Sequence, residues 1–125
     1  MLSITKDFAS VEGIDLEVYA GVDNMILIKI TDEDGQLIAP VGGSFEAKVK
    51  RQRGGSPPTL AVFTATYSEI QQAMQLEMSA AESKKLITKQ QDDDFIYFYD
   101  LVWLLNDKRI GLCYGKVIVK AGVTI

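Results

Sequence analysis

The sequence predicts an all-β fold, specifically an antiparallel β-sandwich of immunoglobulin-like type with one short helix. Three observations predict it. Short apolar segments recur along the chain, several of them alternate apolar and polar residues, and glycine, proline or aspartate separates them. The chain has 125 residues, of which 47% are hydrophobic, so it can build one core of ordinary size. We therefore predict a single domain over residues 1–125.

The first half of the chain contains three predicted strands. Leu16–Tyr19 is a weak one, and residues 25–31 form a stronger one that is rich in isoleucine. The acidic segment 32–35 ends in Asp-Gly, which is a strong signal for a tight turn, and residues 36–38 begin the return. Residues 45–51 show the cleanest alternation, with phenylalanine, alanine and valine on one face and glutamate and lysine on the other.

A proline-containing loop separates these strands from the next pair. Residues 53–58 contain two glycines, a serine and two prolines, and proline has no N–H for the interior of a sheet. Residues 60–67 form a further predicted strand. The connector 68–74 is compatible with a turn of helix, and residues 75–78 resemble a brief strand.

The segment 79–87 is the one predicted helix. Ser79 can cap its first turn, and Glu82 follows three residues later, which together give the capping-box pattern. Alanine, lysine and leucine at the following positions favour a helix. Because the segment is short, we expect it to connect strands rather than to form a layer, and residues 88–94 then form a polar connector.

The last third of the chain predicts a β-hairpin with too many apolar residues for one core. Two apolar strands, residues 95–105 and 110–119, flank the polar turn 106–109. If the faces that contain Tyr97 and Val117 point to the core, an apolar set remains on the opposite face. We call this set the outer patch; it consists of Ile96, Phe98, Val102, Leu112, Tyr114 and Ile118. The assignment of core and outer faces can be exchanged on either strand, but the apolar surplus persists.

Charge and cysteine content restrict the possible partners and compartment. The net charge is −4, and the only basic cluster is short and lacks interleaved aromatic residues, which argues against nucleic-acid binding. A single cysteine, Cys113, cannot form an internal disulfide. The sequence shows neither the apolar core of a signal peptide nor a run long enough to span a membrane. We therefore expect synthesis and folding in a cytosol, without membrane contact.

No constellation of residues supports catalysis, a metal or a cofactor. The acidic turn 32–35 lacks the glycine and glutamate spacing of a calcium loop, so a hairpin turn is the better interpretation. The carboxylates of residues 92–94 alternate in direction along an extended segment and do not converge. Cys113 has no histidine to activate it, because the chain contains none. We therefore predict that the protein is not an enzyme and holds no cofactor.

Aromatic residues on the first hairpin strand leave one binding function open. Tyr97, Tyr99 and Trp103 share a strand face and could together stack on a sugar. Aromatic residues at alternate strand positions are more often part of a core. Carbohydrate or receptor binding, with a host glycan as ligand, is therefore the alternative hypothesis.

The order of several motifs resembles that of a known class of proteins. After the Asp-Gly turn come Phe45-Glu46-Ala47-Lys48-Val49-Lys50, Phe63-Thr64-Ala65-Thr66, Leu76-Glu77-Met78-Ser79-Ala80-Ala81-Glu82, Tyr97-Phe98-Tyr99-Asp100-Leu101 and Gly115-Lys116-Val117-Ile118-Val119. Over most of the chain this order resembles small phage virion proteins of tail, baseplate and fibre genes, including the N-terminal domain of baseplate upper proteins. The resemblance implies a structural role in the virion and no catalytic residues.

Together these observations predict a non-enzymatic phage structural protein of the tail, baseplate, neck or fibre region. Its expected partners are other virion proteins and further copies of itself, since virion assemblies are symmetric. The outer patch is the expected contact surface, because exposed apolar patches of several hundred Å² are unusual in monomers. The competing explanation is that the short helix or the N-terminal segment covers the patch within the same chain.

Overall fold

The computed structural model describes residues 2–7, 14–31, 36–51, 58–86 and 95–120. Within these ranges the chain is mostly β-structure with one small helix, as the sequence predicts. The elements are, in chain order, β1 (Leu2–Asp7), β2 (Leu16–Tyr19), β3 (Asn24–Thr31), β4 (Ser44–Lys50), β5 (Thr59–Ser68), β6 (Ala73–Met78), α1 (Ala80–Lys84), β7 (Phe95–Leu105) and β8 (Lys108–Lys120).

The strands form one sheet in the order β1-β3-β6-β5-β4-β7-β8-β2. The neighbours β1 and β3 are parallel, as are β2 and β8, and the other pairs are antiparallel. The seven strands from β3 to β2 curl until the sheet nearly closes into a barrel. At the closing point the side chain of Asn24 accepts a hydrogen bond from the N–H of Tyr19 and donates one to its carbonyl oxygen, both 2.9 Å long.

The mixed sheet corrects the prediction of a purely antiparallel fold. The two parallel pairs arise because both N-terminal strands join edges of the sheet, and an edge strand can pair in either direction. An immunoglobulin-like sandwich is not confirmed. Strand β5 makes the sheet continuous: its first half pairs with β4, as in Phe63 with Ala47, and its second half pairs with β6, as in Thr64 with Glu77.

Alternate side chains of the strands point into the curled sheet and form one core cluster. On β4 the predicted alternation is observed, since Ala47 and Val49 are buried while Lys48 is exposed. The fully buried members of the cluster come from six strands and from the segment after the helix: Leu16, Val18, Ile28, Val49, Met74, Leu76, Leu86, Leu101, Leu112, Val117 and Val119. Burial of this apolar surface is the main force that closes the sheet.

The backbone of Ile14 crosses the inner face of β8 directly over Gly115. A Cβ atom at Gly115 would lie 2.1 Å from the carbonyl oxygen of Ile14, so only glycine fits there. The N–H of Ile14 donates to the carbonyl of Tyr114 over 2.7 Å, and the hydroxyl of Tyr99 donates to the carbonyl of Ile14 over 2.8 Å. These contacts fix the point from which β2 runs alongside β8.

The helix α1 is shorter than predicted, and only half of its capping box forms. The Ser79 hydroxyl accepts a hydrogen bond from the N–H of Glu82 over 3.1 Å, as expected for an N-cap. The Glu82 carboxylate bonds to the N–H of Val62 over 3.0 Å and to the ammonium of Lys85, rather than to the N–H of Ser79. The strand β6 ends at Met78 and does not extend alongside Val62 of β5. The Glu82 carboxylate therefore accepts the hydrogen bond from the Val62 N–H in place of a strand carbonyl.

Two further predictions concern connections between strands. The connector 68–74 does not contain a turn of helix; it is a tight hairpin turn between β5 and β6, in which Gln72 takes a positive φ of 52°. The terminal hairpin is confirmed, and its turn consists of Asn106 and Asp107, both at positive φ, between the paired residues Leu105 and Lys108.

Candidate interaction surface

The outer patch lies on the face of β7 and β8 that points away from the core. Tyr97 and Tyr99 are buried on the inner face, so the residues between them point outward. Ile96 pairs directly with Ile118, and Phe98 with Lys116. Ile96 is 54% exposed, whereas the other apolar side chains on this face are half-buried: Phe98, Val102, Tyr114 and Ile118. Of the predicted members of the patch, only Leu112 belongs to the core cluster. The other five neither belong to the cluster nor pack against it: Ile96, Phe98, Val102, Tyr114 and Ile118.

Leu112 does not belong to the outer patch, which corrects that part of the prediction. A β-bulge interrupts the pairing of the hairpin: Leu101 pairs with Cys113 and Val102 pairs with Gly111, so Leu112 is the additional residue. The bulge shifts the alternation by one residue, and both Leu112 and Cys113 turn inward, at 0% and 2% exposure. The prediction takes the alternation along the strand as unbroken; Gly111, directly beside the bulge, is the residue in the sequence that could have indicated it.

Neither the helix nor the described N-terminal residues cover the outer patch. The helix lies near β5 and near the connection from β2 to β3, where the Ser83 hydroxyl accepts a hydrogen bond from the N–H of Gly21 over 2.9 Å. At its end, Leu86 enters the core and its carbonyl accepts a hydrogen bond from the Tyr97 hydroxyl. The strands β1 and β2 extend the sheet at its edges and do not lie on its face.

Lysine side chains flank the aromatic centre of the patch. Across neighbouring strands, Lys50, Phe98 and Lys116 occupy one row, which we call the lysine row. Among the described residues neither ammonium group of this row forms an ion pair. In the next row, Asp100 lies between Lys48 and Tyr114. The surface therefore combines apolar area with charges of both signs, since Asp15 on the neighbouring segment accepts a hydrogen bond from the Lys116 N–H over 3.1 Å and Glu17 pairs with Ile118.

A second surface feature, absent from the sequence analysis, lies on the β3-β6-β5 side of the barrel. It is a groove of about 520 Å³, which we call the acidic groove. Its lining residues are Asp23, Asn24, Met25, Val62, Thr64, Glu77, Met78, Ser79 and Glu82. The groove joins three segments that are far apart in the chain, so no local motif could have indicated it.

The three carboxylates of the acidic groove have different local partners. Asp23 accepts a hydrogen bond from the N–H of Ala80 over 2.8 Å, and Glu77 accepts one from the side chain of Gln75 over 2.6 Å. The bond from Lys85 lowers the pKa of Glu82; burial opposes this shift, and the bond from the Val62 N–H adds to it. The groove therefore carries a net negative charge, since Lys85 balances only one of the three carboxylates.

The aromatic residues proposed for sugar stacking do not form a shared surface. Tyr97 and Tyr99 are 3% and 4% exposed, and their hydroxyls donate to backbone carbonyls. Burial, with Cys113 close by, raises the pKa of Tyr99 far above its ordinary value, so this hydroxyl remains a donor. Trp103 is half-buried, stacks on Phe45 with 6.4 Å between ring centroids, and donates from Nε1 to the carbonyl of Gly42.

Cys113 is buried in the core, with its sulfur 3.7 Å from the Tyr99 hydroxyl. A thiol in apolar surroundings behaves as a small hydrophobic group. Over the described ranges, no group of three or more carboxylate or thiol side chains could hold a metal ion. The acidic segments 32–35 and 92–94, whose carboxylates are the candidate cation ligands of the sequence, lie outside the described residues.

Comparison with known proteins adds no family to these observations. The chain matches no protein-family model, and no curated protein has a significantly similar sequence. In the part of the chain that the structure describes, no helix has the length and apolar character needed to cross a membrane. The resemblance to phage virion proteins therefore remains a prediction.

Proposed function

We propose that this protein is a non-enzymatic structural component of a phage virion, of the tail, baseplate, neck or fibre region. In this proposal it is made in the host cytoplasm and binds other virion proteins and further copies of itself through the outer patch. The outer patch lies on one face of the neighbouring strands β7 and β8. It can serve as a contact surface whether the whole sheet is classed as a barrel or as a sandwich.

The observation that carries the proposal is the separation of the outer patch from the core. Ile96, Phe98, Tyr114 and Ile118 point away from the core cluster, and no described element lies over them. Contiguous apolar residues on a sheet face lose contact with water when another protein covers them, which favours association. Aromatic residues are also enriched at the centres of protein interfaces.

Phe98→Glu and Tyr114→Glu test this role. Each places a carboxylate in the patch without changing the core, so we expect loss of oligomerisation or of partner binding while the fold persists. Light scattering measures the association, and circular dichroism checks the fold. The control is Ile70→Glu in the β5–β6 turn, where a 93% exposed isoleucine lies far from the patch in the strand order. Association of both patch variants at the wild-type level would refute the proposal.

Carbohydrate or receptor binding remains the alternative proposal, and it now depends on Trp103. Tyr97 and Tyr99 are buried, so of the three predicted aromatic residues only Trp103 is partly exposed. Its ring stacks on that of Phe45. A glycan-dependent change in Trp103 fluorescence that is lost in Trp103→Ala would favour this function. An unchanged spectrum across host-surface glycans would argue against it.

A further inference from the structure

We infer that the outer patch joins two copies of this chain face to face, about a two-fold axis that runs parallel to β7 and β8 and passes between them. The inference rests on the proposed assembly role and specifies the partner and its orientation. It adds Asp15, which precedes β2, and Lys50 of β4 to the contact surface. A two-fold contact uses the same surface on both copies, so association through this face ends at a dimer.

The charges on the outer face are ordered from the β2 side to the β4 side. The carboxylate of Asp15 accepts a hydrogen bond from the Lys116 N–H over 3.1 Å, so Asp15 prolongs the lysine row at its β2 end. From β2 to β4 the row is therefore Asp15, Lys116, Phe98 and Lys50. Asp15 is exposed, as is Glu17, the outward residue of β2 in the next row. The face is thus acidic at its β2 edge and basic at its β4 edge.

This order is complementary to its own reverse. Two sheets that pack face to face keep their strands within about 30° of each other. An axis between β7 and β8 then places β2 of one copy over β4 of the other, and β8 over β7. Within the row, Asp15 meets Lys50 of the second copy. Lys116 meets Phe98 of the second copy, where the lysine stem packs on the ring and the ammonium is attracted to the ring face.

The centre of the contact is apolar. Ile96 and Ile118 are paired across β7 and β8, and the two-fold axis places Ile96 over Ile118 of the second copy. Ile96 is 54% exposed, more than any other member of the outer patch, so it has the most accessible surface to lose. Because the sheet curls around the core, its outer face is convex, and the copies touch most closely along β7 and β8. The gap widens towards β2 and β4, where the long flexible stem of Lys50 extends to the carboxylate of Asp15.

Charge excludes the other two-fold arrangements of this face. An axis that crosses the strands places each strand over its own copy, so Asp15 meets an acidic edge and Lys50 meets a basic one. An axis along β7 places β8 over β4, so Lys116 meets Lys50 of the second copy. An axis along β8 places Lys116 over Lys116. Like charges that face each other across a contact repel, so the axis between β7 and β8 is the one that the charges favour.

Charge reversal at the two ends of the row tests the inference. Lys50→Glu and Asp15→Lys each place like charges opposite each other at two symmetric points. We therefore expect each to weaken self-association at least about tenfold. The double variant Asp15→Lys/Lys50→Glu again has opposite charges at both points, so its association returns to near the wild-type level. Sedimentation equilibrium measures the dissociation constant and shows whether the dimer is the largest species.

Controls separate the effect of charge from effects on the fold. Asp15→Asn keeps an acceptor oxygen for the Lys116 N–H and removes only the charge, so we expect a smaller loss of association than from Asp15→Lys. Lys108→Glu and Glu69→Lys make the same charge reversals at exposed positions in or beside hairpin turns, and both should associate like the wild type. Circular dichroism checks the fold of every variant.

The outcomes distinguish this inference from the proposed function. If the wild type associates and Lys50→Glu associates equally, the two-fold contact is refuted, whatever the Asp15 variants do, while the assembly role stands. A double variant that folds but associates as weakly as the single variants also refutes the pairing of Asp15 with Lys50. A wild-type mass that continues to rise beyond the dimer overturns the two-fold geometry. If the wild type is monomeric at every concentration, both the inference and the homo-oligomeric form of the proposed function fail.

Discussion

Gly115 lies where the backbone of Ile14 crosses the inner side of β8, so it has no room for a side chain. We expect Gly115→Ala to lower the free energy of unfolding by about 2 kcal/mol or more, because its Cβ would meet backbone atoms that cannot rotate away. Chemical denaturation measures the change. Gly111→Ala on the same strand is the matched control, since its added methyl meets nothing within 4 Å and should leave stability nearly unchanged. Equal stability of the two variants would show that Ile14 does not cross there.

Some single residues could be assigned from the sequence and others could not. The sequence predicts Cys113 in the core because it lies inside an apolar strand and the chain has no histidine to activate its thiol, and it is buried there. Leu112 was assigned to the wrong face because a bulge changes the alternation without changing residue type. Gly115 inside an apolar strand is compatible with a close backbone approach, but the sequence does not identify the approaching segment, Ile14, which is far away in the chain.

At the scale of elements, the contact between α1 and β5 depends on pH through Glu82. The hydrogen bond from Lys85 holds the pKa of this carboxyl below its ordinary value of 4.5 in the folded state. A carboxyl group whose folded-state pKa is lowered contributes stability above its unfolded pKa, and this contribution is lost as pH falls through the folded pKa. The contact is therefore fully stabilising at neutral pH and weakens in acid below the ordinary value.

The variant Glu82→Gln measures this contribution. We expect the stability difference between wild type and variant, from urea unfolding, to be largest near about pH 7 and to shrink towards about pH 3. Glu69→Gln serves as the control, because Glu69 makes no hydrogen bond or ion pair with a described residue. A difference that stays constant across this pH range would mean that the carboxylate does not stabilise the contact through its charge.

Elements with a strong local pattern were predictable, and those that depend on distant partners were not. The strand β4 agrees closely with its prediction because its central residues alternate between core and solvent, with Ala47 and Val49 buried and Lys48 exposed. The sequence analysis does not predict the strand β1, although Leu2-Ser3-Ile4-Thr5 alternates apolar and polar residues; the segment is short, and its parallel partner β3 is known only from the structure. The helix α1 is shorter than its propensity suggests: it ends at Lys84, with Lys85 as its C-cap, and Leu86 lies beyond it in the core.

At the scale of the whole molecule, closure of the sheet is a non-local event. The N-terminal segment meets β8 through contacts such as the hydrogen bond from the Lys116 N–H to Asp15, between residues 101 positions apart. Local patterns indicate strands but not the pairing of β2 with β8, so the sequence predicts a sandwich where the structure shows a nearly closed barrel.

The molar mass of the wild-type protein in solution tests the central claim that the outer patch is an assembly surface. Light scattering over a wide range of protein concentration measures it without a label or a variant. We predict a mass that rises with concentration above that of the monomer, because burial of the patch favours association by mass action. A mass that remains that of the monomer up to the highest concentration would contradict self-assembly through this surface.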